Sequence, residues 1–261
     1  MLDRKPDADP KSKASKGATD SEQGGSAWME TLRTVVIAVL IAVGVRTFAY
    51  EPFNIPSSSM EPTLLVGDYL FVSKLSYGYS RHSLPFGLPL FSGRVLFSEP
   101  ERGDVAVFTH PRDNSTDYIK RIVGLPGDTI EVRDGVLHIN DAPVARELLS
   151  ASEEAALGYG ASGGLLYYET LPDGRRHLIR VLNDRSSYGP VVVRDGHFFA
   201  MGDNRDNSAD SRAPSVGQVP FENLVGRAEI LFFSHDGSSS WWQFWSWPSA
   251  IRFGRIFDAI E

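Results

Sequence analysis

After residue 50 the chain is a series of short, alternating apolar runs cut by Gly-Asp and Asp-Gly pairs, with no sustained helical period. Residues 68–73, 104–108, 118–123, 129–132 and 136–139 alternate as half-buried strands do. Residues 165–169, 178–182, 191–193, 197–201 and 228–233 continue the series. Gly67-Asp68, Gly103-Asp104, Gly127-Asp128 and Asp134-Gly135 supply the turns. Connections this short hold no crossover helices, so the strands must pair largely antiparallel. The expected class is mainly β. Residues 51–133 and 198–261 read as one antiparallel β domain, and residues 134–197, with the loose stretch 152–164, as an inserted small β domain.

Ahead of the strands lies a different composition. Residues 1–27 are Asp, Lys, Ser, Gly and Ala with almost no large apolar side chain, too little to offset the entropy of ordering, and read as a disordered tail. From Thr34 to Tyr50 the chain is apolar except for Arg46. As a helix this run spans roughly 26 Å, slightly short of a hydrocarbon core of about 30 Å. Arg46 sits near one end, where a long side chain snorkels to the headgroups, and Trp28 and Tyr50 occupy interfacial positions. Residues 28–50 therefore read as a single transmembrane anchor in contact with membrane lipid. Two other readings compete: a buried core helix, since only 34–45 is free of charge, and a cleaved signal peptide, since Thr47-Phe48-Ala49 faintly resembles a small-x-small site. Lys16 and Arg33 precede the span, and no Lys or Arg follows Arg46 until Lys74. That bias places the N-terminus in the cytoplasm and the body outside.

At 261 residues the chain can bury a full core, and a monomer is the simple expectation. A net charge of −7 argues against a nucleic-acid partner. The absence of cysteine removes disulfides, thiolate zinc sites and cysteine nucleophiles, and leaves the compartment open. Near the end, Trp241, Trp242, Phe244, Trp245 and Trp247 crowd together; core packing and an interfacial patch on the bilayer are both open.

Two stretches carry chemistry. The first is Ile55-Pro56-Ser57-Ser58-Ser59-Met60-Glu61-Pro62-Thr63, and the second is Asp117-Tyr118-Ile119-Lys120-Arg121. Alone, Ser58 to Glu61 is also a capping box, with Ser58 as N-cap and Glu61 at N3, so a serine here can be purely structural. Lys120 and Arg121 can likewise be charges on an exposed strand edge. The sharper reading has Lys120 desolvated between apolar neighbours, with a pKa lowered from about 10.4 toward roughly 7–8. A neutral amine of that kind can take the proton of a serine hydroxyl. A third stretch, residues 202–212, is dense in turn formers and charge; it departs from the EF-hand pattern, and no metal or cofactor is expected.

Four segments in order, 55–74, Arg102-Gly103-Asp104-Val105, 118–128 and 202–212, resemble the motif boxes of bacterial type I signal peptidase, and they lie behind an N-terminal anchor as in that family. The resemblance implies a serine endopeptidase of the bacterial inner membrane. It would cleave secretory preproteins after small-x-small motifs on the extracytoplasmic side. By the same resemblance Ser59 is the nucleophile and Lys120 the general base. Ser57 joins the backbone N–H of Ser59 in the oxyanion hole, Ser208 orients the lysine amine, and Asp210 and Arg212 form a supporting ion pair. Ser58 stands where the family commonly has glycine. An extended substrate adding to a sheet edge would place alternate side chains in shallow apolar pockets, for which Phe53, Ile55, Pro56, Met60, Leu64, Tyr118 and Ile119 are the candidate lining.

Rival readings are fewer. Gly160-Ala161-Ser162-Gly163-Gly164 has the spacing of a nucleophile elbow, but a strand-like run rather than a helix follows it. A membrane-anchored β-rich protein that holds secreted chains without cutting them needs neither Ser59 nor Lys120. A peptidase dedicated to one substrate would use the same pair. The self-cleaving domains of bacterial SOS repressors also use Ser and Lys, but carry a DNA-binding head for which this acidic, anchored N-terminus has no counterpart.

Overall fold

The structure is a computed structural model that describes residues 20–84, 92–157, 163–183, 185–240 and 242–260. Helix α1 (Asp20–Phe48) begins earlier than the anchor expected from composition, so the last residues of the expected tail are helical. Residues 1–19 lie outside the described residues. Within α1, Trp28–Phe48 is long and apolar enough to cross a membrane. Every side chain from Trp28 to Val43 is exposed, so the reading as a buried core helix does not hold.

Residues 45–261 form a separate compact unit built of strands. In chain order these are β1 (Tyr50–Asn54), β2 (Asp68–Ser73), β3 (Val105–Thr109), β4 (Asp117–Gly124), β5 (Thr129–Arg133), β6 (Val136–Ile139) and β7 (Ala142–Pro143). They continue with β8 (Ala145–Leu148), β9 (Leu165–Thr170), β10 (Arg176–Val181), β11 (Tyr188–Val192), β12 (His197–Met201), β13 (Val219–Pro220) and β14 (Leu224–Ser234). One seven-stranded sheet has the order β1-β2-β14-β3-β4-β12-β13; the others run β11-β5-β6-β7 and β10-β9-β8. Among the described residues all eleven ladders between these strands are antiparallel. The mainly β, antiparallel class read from the sequence is the class observed.

β1 is not legible as a strand in the sequence because Pro52 interrupts it. At the edge of the sheet, where one side of the backbone has no partner, proline costs nothing in hydrogen bonds. A six-residue helix, α2 (Ala151–Ala156), opens the stretch that reads as loose, and Ser150 with Glu153 caps it in a complete capping box. The glycine-rich run with nucleophile-elbow spacing lies mostly outside the described residues. The strand β9 that follows it excludes the helix an elbow needs.

β3 is buried along its whole length in the middle of the large sheet, so the half-buried alternation read at 104–108 gives way to a strand covered on both faces. On one side Ile55, Met60, Leu64, Leu70, Val107 and Leu231 share a core with Ile119 against it. Tyr77, Phe108, Ile122, Phe198 and Ala200 share another. Of the C-terminal aromatic cluster, Trp242, Phe244, Trp245 and Trp247 are all exposed, so core packing does not account for them. Trp241 lies outside the described residues.

Candidate active site

Apolar anchors present Ser59. Met60 and Leu64 are fully buried in the core, and each such side chain contributes about 1.5–3 kcal/mol, holding the single 3-10 turn Ser58–Met60 against the sheet. The capping box expected at Ser58 and Glu61 does not form. Ser57 occupies the position before the turn and makes no side-chain cap bond, and Glu61 instead accepts a hydrogen bond from Arg180 Nη1 at 2.6 Å. Ser59 is left 8% exposed at the floor of a groove.

Lys120 comes from β4, where it lies opposite Ala106 of β3 and is only 4% exposed. Its Nζ is 2.7 Å from Ser59 Oγ and 2.8 Å from the Ile119 carbonyl oxygen. Among the described residues no carboxylate pairs with it. Burial, the largest influence, lowers its pKa from the ordinary 10.5 to about 8, against a smaller upward pull from Asp210 and Asp203. The amine is desolvated as the sequence suggests, rather than lying on an exposed edge.

The loop that follows β12 closes over the turn. Asn204 N–H donates to the Ser59 carbonyl oxygen at 3.2 Å, and its side-chain amide donates to the Ser58 carbonyl oxygen at 3.0 Å. The Asn207 amide donates to Ser58 Oγ at 2.9 Å. Gly202 permits this approach: a Cβ there would lie 2.3 Å from Ser208 Oγ and 2.4 Å from the Ser59 oxygen. Asp203, completely buried, accepts two bonds from the Arg121 guanidinium at 2.9 and 2.8 Å and one from Thr63 Oγ1 at 2.5 Å. Burial, the largest single influence, pushes the Asp203 carboxyl up, but the charge and hydrogen bonds of Arg121 together with His177 and Thr63 outweigh it and hold the pKa low.

Asp210 and Arg212 form an ion pair at 2.7 Å, and Asp210 also accepts from Gly202 N–H at 3.0 Å. The bond expected between Ser208 and the lysine is not formed. Ser208 Oγ is buried beside Gly202 with no partner among the described residues, and the Ile119 carbonyl holds the amine instead. Ser57 is exposed, with its Oγ 3.4 Å from Ser59 Oγ.

A groove of about 560 Å³ runs past the serine, and its apolar lining includes Phe53, Ile55, Pro56, Tyr118 and Ile119. Met60 and Leu64 do not reach it; both lie in the core beneath. β12 pairs with β4 only from Arg121 to Gly124. The edge of β4 at residues 117–120 that faces away from β3 therefore has no strand partner among the described residues.

Several residues that shape the site do not stand out in the sequence: Asn204, Asn207, Thr63, Asp203 and Arg121. The first two and Asp203 lie in a stretch that reads as an ordinary turn-rich loop. Only the density of Asx residues there marks them.

Residues 28–233 match the family described as signal peptidase, peptidase S26. Signal peptidase I of Rickettsia typhi (strain ATCC VR-144 / Wilmington) is 41% identical over 245 residues, covering 85% of this chain and 90% of that protein. Signal peptidase I of Rickettsia conorii (strain ATCC VR-613 / Malish 7) is 41% identical over 242 residues, 84% of this chain and 88% of its own. A solved signal peptidase I from Enterococcus faecalis V583 is 29% identical, covers 50% of this chain and 97% of its own, and superposes with a TM-score of 0.30. The chain belongs to the signal peptidase family, peptidase S26.

Proposed function

We propose that this membrane-anchored serine peptidase removes signal peptides from secretory preproteins by a Ser59–Lys120 dyad, cleaving after small-x-small motifs. The observation that carries the reading is the 2.7 Å contact between Ser59 Oγ and a lysine amine that is buried, unpaired with any carboxylate among the described residues, and of pKa about 8. Near neutral pH a useful fraction of that amine is neutral, so the Ser59 hydroxyl donates to Nζ and can pass its proton there as it attacks.

The remaining steps follow from the neighbours. Attack on the scissile carbonyl develops an oxyanion, for which the Ser59 backbone N–H and the Ser57 hydroxyl are the nearby donors; each donor of this kind is worth about 3–4 kcal/mol of barrier. The Lys120 ammonium gives its proton to the leaving amine. The lysine, neutral again, takes a proton from the water that hydrolyses the acyl-enzyme. Asp210 and Arg212 support the loop over the turn. An extended substrate adds to the free edge of β4 at residues 117–120, with small side chains entering the groove beside Phe53, Ile55, Pro56, Tyr118 and Ile119. Phe53, one of the groove residues, follows the end of α1 by five residues in sequence. The body faces the extracytoplasmic side of the bacterial inner membrane, and the protein acts as a monomer.

The test is cleavage of a preprotein by the detergent-solubilised full chain, with Ser59→Ala and Lys120→Met as the variants. Each is expected to lose activity by about a thousandfold or more while remaining folded. Full activity in Lys120→Met rejects the dyad. A wild type that binds preproteins and cleaves none would favour a holding protein.

A further inference from the structure

Arg180 lies on β10, more than a hundred residues from the nucleophile in sequence, yet it touches both segments that frame Ser59. Its side chain is 5% exposed and donates to Glu61 at 2.6 Å, two residues beyond the serine. Its backbone N–H donates to the Asp203 carbonyl oxygen at 2.8 Å, and its own carbonyl oxygen accepts from Arg205 N–H at 2.9 Å. The segment 203–205 thus runs beside β10 as a short parallel strand, bridged at Arg180 and Asn204. Asn204 is the residue whose backbone and side chain hold the carbonyl oxygens of Ser59 and Ser58. The next residue, Arg205, is locked by a doubly hydrogen-bonded pair with buried Glu169 of β9. Ser59 is therefore gripped from one side by Asn204 and from the other by Glu61, and both grips lead to one arginine.

Stability does not account for this arrangement. Buried ion pairs rarely add to stability, because removing two charges from water costs about as much as their attraction returns. Arg180 Nε is moreover buried with no acceptor among the described residues. The guanidinium is aimed at Glu61 while one of its own donors stays unsatisfied. Displacement of a nucleophile by about 1 Å is enough to cost on the order of a hundredfold in rate.

We propose that Arg180 is a positioning residue for the peptidase reaction, fixing Ser59 against Lys120 through its ion pair with Glu61 and its backbone pairing with 203–205. This rests on the reading of Ser59 as the nucleophile.

The experiment uses the full chain in detergent with a preprotein substrate. Arg180→Gln, Arg180→Lys, Glu61→Gln and the double variant Glu61→Gln/Arg180→Gln are compared. Competent sites are counted by titration to completion with a fluorophosphonate, which phosphonylates a reactive serine with loss of fluoride. Arg180→Gln is expected to lower kcat per titrated site by about 10- to 100-fold, with KM changed by less than about threefold. Arg180→Lys should recover most of the loss, and the double variant should be no slower than Arg180→Gln alone, because both changes break one contact. Unchanged kcat per titrated site in Arg180→Gln, or strictly multiplicative losses in the double variant, would overturn the proposal. Should Arg180→Gln fail to fold, Glu61→Gln decides: its per-site kcat must fall. Ser59→Ala is run alongside; if it cleaves like wild type, the dyad fails on its own account, whatever Arg180 does.

Discussion

Lys120 and Arg121 are consecutive cations on β4, both almost fully buried, and the protein treats them in opposite ways. Arg121 is given a carboxylate: Asp203 accepts two bonds from it, and the Gly103 carbonyl oxygen accepts a third at 2.8 Å. Among the described residues Lys120 is given none. It has a serine hydroxyl and one main-chain carbonyl, and its pKa falls to about 8 in consequence. A paired arginine ties two segments together; an unpaired lysine is pushed toward neutrality, the state in which an amine can accept a proton. Alternation along a strand allows the contrast, because adjacent side chains leave on opposite faces and meet different partners.

The largest effect that can break this comparison lies on the arginine. Arg121→Met leaves Asp203 as a buried carboxylate without its counter-charge, which costs about 3–5 kcal/mol of stability. Urea unfolding of the full chain in detergent checks this. The double variant Arg121→Met/Asp203→Leu should recover much of the loss, since no lone charge remains. A single variant as stable as wild type would mean that Asp203 is held by Thr63 and the loop alone.

The lysine should behave in the reverse sense. Its folded pKa, about 8, lies below the ordinary 10.5, so between these values the unfolded chain binds a proton that the folded chain does not. Stability therefore rises with pH across that window, and below it the folded state bears the full cost of burying the ammonium. That cost is about 3 kcal/mol. Lys120→Met should accordingly stabilise the protein by up to about that amount at pH 7, and by progressively less from pH 8 to 10.5. The variant expected to lose cleavage under the proposed dyad is thus expected to be the more stable one, as at other sites held in a costly state for function. A destabilised Lys120→Met at pH 7 would show that the contacts to Ser59 and Ile119 outweigh burial.

Much of this contrast is legible in the amino-acid sequence, and the part that is not has a physical cause. Alternation on β4 and its apolar neighbours point to a desolvated lysine, since burial follows from local pattern. The partner of Arg121 is hidden, because Asp203 sits 82 residues away in a loop that looks self-contained. The same limit applies to Ser-x-x-Glu. At Ser150 and Glu153 the pattern caps a helix, whereas at Ser58 and Glu61 a distant arginine takes the glutamate. Met60 and Leu64 read as groove lining because apolar residues around a nucleophile look alike in sequence. Only the turn decides which point up and which point down. Resemblance assigns Ser208 to the lysine, and here the Ile119 carbonyl holds that place.

The smallest effect, and the one that tests the origin of the base directly, is the pH dependence of kcat/KM. Under the proposed dyad it should rise, for the free enzyme, about tenfold per pH unit up to a midpoint near 8 and then level off, because only neutral Lys120 could accept the Ser59 proton. Asp210 and Asp203 both raise that pKa. Removing one of these charges, as in Asp210→Asn, should therefore move the midpoint down and extend activity toward acid pH. Measured per titrated active site, a downward shift assigns the acid limb to Lys120 and its electrostatic surroundings. An unmoved midpoint would mean that the limb belongs to another group and that desolvation of Lys120 does not set the working range of the enzyme.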